Sequence, residues 1–289
     1  MKNYFLLVIF CFSVFTCNQG LAAPLWNNEK DKGDDYLLGT IHIGDHRLNK
    51  LPDVIKKAID EVEVVVLEVD MRTVTAMEQQ KVVMKVGLLP IGTSLKKQLS
   101  PQVYQRVEQY LLKNGANIAV MQQFKPWMVA LTMVQMAYAR QGFTAEKGVD
   151  QQVMTYAEQT GKKIVGLETF SEQMSFFEQL FEQNPHLNSD DLILDTLNEL
   201  EHYSELPDVM MKAWLEADMD KFEAIYEKTL NASSFDRAAE KILLSGRNKN
   251  WLPKLEHLIK EKSVLIAVGT LHFTGPDSLQ KLLTESFSN

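Results

Sequence analysis

Cysteine is almost absent from this 289-residue sequence: the only two, Cys11 and Cys17, both fall in the first 23 positions. A chain beginning after them has neither a disulfide framework nor thiol chemistry. Long apolar runs are missing beyond the N-terminus. The longest, Met128 to Ala139, is interrupted by Thr132 and Gln135 and falls short of the ~20 residues a membrane-spanning helix requires. Positive charge is scarce, with 30 Lys and Arg against 38 Asp and Glu and a formal net charge of −8, which disfavours nucleic acid or anionic lipid as a partner. There is no Gly-x-Ser-x-Gly, no His-Glu-x-x-His and no phosphate-binding glycine loop, so the commonest hydrolase and nucleotide-site signatures are excluded. No low-complexity linker marks a domain boundary.

What is present is a doublet. Leu37-Leu38-Gly39-Thr40-Ile41-His42 and Ala267-Val268-Gly269-Thr270-Leu271-His272 each carry an apolar run into Gly-Thr-aliphatic-His. With 14 Gly and 6 His in the chain, roughly 0.3 Gly-x-x-His spacings would arise by chance, so two that also share Thr-aliphatic are signal. Each copy reads as a buried strand that stops at Gly, where the backbone turns or approaches another group closely, and then presents an imidazole. Two imidazoles from two strand ends predict one shared site.

Residues 1–23 have the build of a secretory signal: Lys2 at the start, an apolar stretch from Phe5 to Phe15, and Gly20-Leu21-Ala22-Ala23 for cleavage. The expected mature chain, 24–289, is a single exported α/β domain, periplasmic or secreted, with no transmembrane segment. A lipoprotein site at Cys17 is opposed by Val14-Phe15-Thr16, bulky where such sites take small residues.

Runs at Tyr36 to Ile41, Val62 to Val69, Lys163 to Leu167 and Ser263 to Val268 are rich in Val, Ile and Leu without clear alternation, as suits strands covered on both faces. Helices are expected at Asp53 to Glu61 after Pro52, and at Gln151 to Gln159 with Asp150 as N-cap and Gly161 as stop. Met71 to Gly142 and Phe170 to Glu261 read as mostly helical, with starts at Ser100-Pro101, Lys125-Pro126 and Asn188-Ser189-Asp190. The fold class is therefore α/β: a central, largely parallel sheet with two helical insertions forming a cap. Ligand sites in such sheets lie at the carboxyl ends of the strands.

Several carboxylates stand at those ends. Glu68, inside Val64-Val65-Val66-Leu67-Glu68-Val69-Asp70, is costly in so apolar a run unless paired, protonated or bound to metal; its bland alternative is a solvated strand end. Two neutral imidazoles, His42 and His272, need a carboxylate or a third His to make a usable divalent metal site, and Glu68 is an available carboxylate. Asp70 is read as a cap or supporting partner. Glu168 closes the third strand, while Thr169 and Glu172 have capping-box spacing. Asp150 either caps its helix or serves the site. Arg247 is a solvated charge, a clamp for a substrate carboxylate, or a partner for Glu68. His46 belongs to a turn, because Gly44-Asp45 precedes it.

In this order, Leu38-Gly39-Thr40-Ile41-His42-Ile43-Gly44-Asp45, Leu67-Glu68-Val69-Asp70, Gly148-Val149-Asp150 leading to Lys163 through Thr169, Arg247-Asn248-x-x-Trp251, and Val268 through His272 with Gly275-Pro276-Asp277 resemble the TraB/GumN family, which includes the TIKI proteases. The resemblance runs from about Tyr36 to Leu283. It implies a fold related to the erythromycin-esterase and haem-binding ChaN proteins, with the two histidines and the strand-end Glu as the metal site. For TIKI proteins it implies Mn- or Co-dependent peptide cleavage. The chain departs from the pattern at His46, where relatives often have Pro, and at Gly246, where an acidic residue often precedes Arg-Asn. It also ends without the usual closing Gly-Tyr and final strand, which is expected to bare a sheet edge.

The expected function is an exported, metal-dependent, peptidase-like hydrolase acting on a peptide or other small substrate. Its divalent cofactor is Mn, Co or Zn on His42, His272 and Glu68, with water or substrate on the open positions. Glu168 or Asp150 is the candidate general base, and Arg247 the group that orients an anionic substrate or stabilises the oxyanion. The rival functions are a non-catalytic haem-, metal- or peptide-binding protein, as ChaN-like and pheromone-inhibitor relatives suggest, and oxygen chemistry at a two-His-one-carboxylate iron.

Overall fold

A computed structural model describes residues 16–17, 23–28, 34–202 and 205–288. Most of the expected signal segment, including Lys2, the apolar stretch and Gly20 to Ala22, lies outside the described residues. Six strands form one sheet: β1 (Thr16–Cys17), β2 (Leu25–Asn28), β3 (Asp35–Thr40), β4 (Val64–Val69), β5 (Lys163–Glu168) and β6 (Val264–Gly269). Their spatial order is β1-β2-β3-β6-β4-β5. The β1-β2 and β2-β3 pairs are antiparallel, while β3-β6, β6-β4 and β4-β5 are parallel. The carboxyl ends of β3, β6, β4 and β5 therefore share one edge of the sheet.

The missing alternation in the strand sequences has a direct cause. Along β3, β4 and β6 successive side chains point to opposite faces, and both faces are apolar. Leu38, Val65, Leu67, Leu265 and Ala267 pack with Ile55 and Ile59 of the helix Asp53–Glu61 and with Val149 and Val153 of the helix Val149–Gln159. Leu37, Val64, Val66, Val264 and Ile266 pack with Trp251, Leu255 and Ile259 of the helix Gly246–Glu261.

A further core belongs to the cap. Val103, Val107 and Leu111 from the first insertion meet Leu192, Ile193 and Leu197 from the second, so both insertions build one apolar centre. Two of their helices start where the sequence indicates, with Ser100 accepting from Val103 N ahead of Pro101 and Thr169-Glu172 forming a capping box; a second capping box, Thr75-Glu78, starts the helix Ala76–Gly87 at a position not among those expected from the sequence. Among the described residues no helix is long and apolar enough to cross a membrane.

Trp214 of the helix Leu206–Leu215 is fully buried, and its Nε1–H donates to the Gly39 carbonyl at 2.7 Å. That bond ties the second insertion to the strand end that carries His42. Trp214→Phe keeps an aromatic ring, though a smaller one, and takes this donor from the Gly39 carbonyl. Urea unfolding is expected to show a loss of about 1–3 kcal/mol; an unchanged midpoint would mean that this tie contributes nothing.

Candidate active site

The doublet is explained by strand pairing. In the parallel β3-β6 pair Gly39 lies opposite Val268 and Thr40 opposite Gly269, so the two Gly-Thr-x-His copies end side by side, one residue out of step. Thr270 Oγ1 donates to the Thr40 carbonyl at 2.8 Å and so joins the copies. Neither Gly39 nor Gly269 has a positive φ, so these glycines serve close approach and not a turn.

Both imidazoles are held through Nδ1. His42 Nδ1–H donates to Asp150 Oδ2 at 3.0 Å, and Asp150 Oδ1 accepts from the Thr40 hydroxyl. Asp150 reaches this position because the helix Val149–Gln159 docks backbone-to-backbone on the His42 loop. Val149 N donates to the Ile41 carbonyl, and a Cβ on Gly148 would stand 2.4 Å from the His42 carbonyl oxygen. This corrects the N-cap expectation: Gly148 occupies the cap, and Asp150 sits in the first turn with its side chain turned to the histidine. His272 Nδ1 lies 2.7 Å from Asn248 Oδ1. The Asn248 amide nitrogen donates to the carbonyls of His272 and Asp277, which leaves Oδ1 as the acceptor and puts the His272 proton on Nδ1. Both Nε2 atoms thus face away from their anchors, as in histidines oriented to bind a metal.

The two rings differ in environment. The His42 side chain is 66% exposed, and the Asp150 carboxylate is the main cause of its pKa rising to about 10. His272, 3% exposed, is lowered to about 3 by burial. Burial pushes Glu68 up, but His42, the Arg247 guanidinium and the Gly269 N–H more than offset this and hold it far below the usual carboxylate range. Glu68 Oε1 accepts from Gly269 N at 2.8 Å and lies 3.7 Å from His272 Nε2.

Arg247 pairs with Glu68 and Glu168 and is buried, so it is not a solvated charge. Its five N–H groups are all placed: Nε on Glu168, one Nη on the Leu243 carbonyl and on His272 Nε2, the other on Glu68 and Glu168. None is left to clamp a substrate carboxylate or an oxyanion. Glu168 is equally full, taking Arg247 twice, Gln173 Nε2 at 3.2 Å and Trp251 Nε1 at 3.1 Å. Asp70 caps the short turn Met71–Thr73 and binds Arg72, outside this network. His46 stands exposed in its turn beside Asp45.

Some of the network has no signature in the sequence. Gln173 bridges Glu68 at 3.1 Å and Glu168 from one turn into the helix Phe170–Gln183. Phe176 of the same helix stands with its ring 5.5 Å from the Arg247 guanidinium, and Trp251 with its ring at 4.7 Å. Arg247 and Asn248 owe their aim to a π-turn, Lys241–Ser245, which adds a residue to the helix just before them. Gly246 makes the turn possible: its N–H donates to the Lys241 carbonyl, and a Cβ would lie 2.3 Å from that oxygen. The absence of an acidic residue before Arg-Asn is thereby explained.

The donor chemistry fits a divalent cation. A Cβ placed on Gly269 would lie 3.3 Å from Glu68 Oε1, 3.6 Å from His272 Cδ2 and 3.7 Å from His42 Nε2, so the missing side chain leaves a cradle bounded by all three expected ligands. Among the described residues no group of three His, Cys, Asp or Glu is drawn together at ligand spacing; the guanidinium of Arg247 occupies His272 Nε2 and Glu68 Oε2 instead.

The sequence profile of the TraB/PrgY/gumN family matches residues 24–286, and this chain belongs to that family. It is 25% identical over 248 residues to YbaP of Escherichia coli strain K12, described as an uncharacterized protein, across 86% of this chain and 87% of that one. The protein of the same description from Shigella flexneri matches to the same extent. No solved structure matches.

Proposed function

We propose that this protein is an exported, metal-dependent hydrolase of peptidase type, with His42, His272 and Glu68 holding the metal. The observation that carries this is the Gly269 cradle: two imidazoles anchored through Nδ1 and one ionised carboxylate border a space that a single methyl group would enter. A divalent ion bound there, Mn, Co or Zn, supplies Lewis acidity toward a carbonyl and toward water.

The protein's residues divide the remaining work. Asp150 fixes the tautomer and aim of His42, and Asn248 does the same for His272. Arg247, Gln173 and the Gly269 N–H hold Glu68 ionised and oriented. Glu168, with every lone pair taken, positions Arg247 and is not the general base. Asp150 uses only two of about four lone-pair directions and its side chain is 28% exposed, so the general-base role falls to Asp150 at the open side of the site. Export supplies the setting, with a mature chain that starts near Ala23 or Pro24.

The test is the natively exported protein. One equivalent of Mn, Co or Zn by elemental analysis, peptidase activity that a chelator removes, and an intact mass lacking the first 22 or 23 residues are expected. A Soret band would replace the hydrolase by a haem-binding protein. A metal-loaded protein with no turnover on peptide libraries would leave a binding protein.

A further inference from the structure

We infer that Arg247 is a resident cation that competes with a metal for His272 Nε2, so that this guanidinium sets the site's metal affinity. This rests on the metal reading of His42, His272 and Glu68 given above.

An imidazole nitrogen has one lone pair. With the His272 proton fixed on Nδ1 by Asn248, the lone pair on Nε2 is the single one the ring offers. Arg247 Nη1 stands 3.3 Å from it. A metal on Nε2 and a hydrogen bond from Arg247 to Nε2 therefore exclude each other. Glu68 repeats the conflict: its Oε2 accepts from Arg247 while Oε1 faces the cradle, so the same carboxylate answers to two cations.

Arg247 cannot drift aside freely. Glu168 grips it in two places, the Leu243 carbonyl takes a further N–H, and the rings of Phe176 and Trp251 both stand against the guanidinium. The π-turn before Gly246 fixes where its Cα sits. The metal-free site is thus neutralised from within, and a divalent ion must displace one positive contact at His272 and share another at Glu68. Weak, cation-selective loading follows, because only an ion that gains more at this site than the guanidinium loses can enter.

The experiment is calorimetric titration of Mn²⁺ and of Zn²⁺ into the full mature protein, the R247M and R247K variants, and H272A as the ligand control, each shown folded by circular dichroism. Met fills similar volume without charge, so R247M is expected to bind at least about tenfold more tightly than the parent, the scale of removing one like charge at contact distance in a partly screened site. R247K, too narrow to reach Glu68, Glu168, Leu243 and His272 together, is expected to fall between them and stands in for R247M should that variant fail to fold. Binding in R247M or R247K equal to or weaker than the parent overturns the competition. If the parent's binding still depends on His272 in that case, the metal site itself survives. If the parent and both variants bind no metal, the metal reading has failed and the competition with it.

Discussion

His42→Ala is expected to abolish tight divalent-metal binding at little cost to the fold, whereas His272→Ala abolishes the same binding and destabilises the protein markedly. The contrast comes from burial. The His42 side chain is largely exposed and its partner Asp150 stays partly solvated, so removing the ring forfeits about 1 kcal/mol at most, the worth of an exposed ion pair. His272 is buried against Trp251, with ring centroids 4.6 Å apart, and satisfies Asn248 and Arg247. Deleting it opens a cavity and orphans both partners, at a cost of about 3–5 kcal/mol. Elemental analysis of each variant reads the metal, and denaturant titration reads the stability. Parental metal stoichiometry in both variants would show that the two strand ends do not share a site.

Gly246→Ala should destabilise the protein strongly. In an ordinary helix interior the change favours folding by about 1 kcal/mol, since Ala is the better helix former. Here the added methyl meets the Lys241 carbonyl oxygen, a backbone atom that cannot step aside. The π-turn must then revert toward α-helical geometry, which turns Arg247 and Asn248 by about one residue's rotation, ~100°. Glu68 and Glu168 lose their guanidinium inside the protein, and breaking a buried ion pair of this kind costs about 3–5 kcal/mol. A calorimetric melt decides it: a melting temperature equal to or above the parent's would show that the π-turn does not depend on this glycine.

How far the site could be read from sequence follows from how each residue arrives. His42, His272, Glu68 and Glu168 end strands, and the apolar runs before them make those positions legible. Thr169 and Ser100 announce their helices by local spacing. Asp150 was visible as a residue of interest but not in its role, because that role depends on the contact of Gly148 with the His42 loop, 106 positions earlier in the chain and set by packing. Gln173 and Phe176 come from a cap helix whose amphipathic pattern gives no sign of which polar residue faces the site. The π-turn is a change of helical register, and its sequence trace is one glycine that reads as a weakness until the Lys241 carbonyl is seen beside it.

The position of β6 bears on how this protein is made. Of the described strands it is the last along the chain and so the last of them to leave the ribosome, yet it occupies the middle of the sheet, between β3 and β4. Until residues 264–269 emerge, β3 and β4 each present an unpaired inner edge, the kind of surface that recruits foreign strands. One half of the histidine pair is missing for the same interval. Nascent or C-terminally truncated chains therefore hold neither a continuous sheet nor the paired imidazoles, and a cell that clears open-edged chains also clears those in which the site is incomplete.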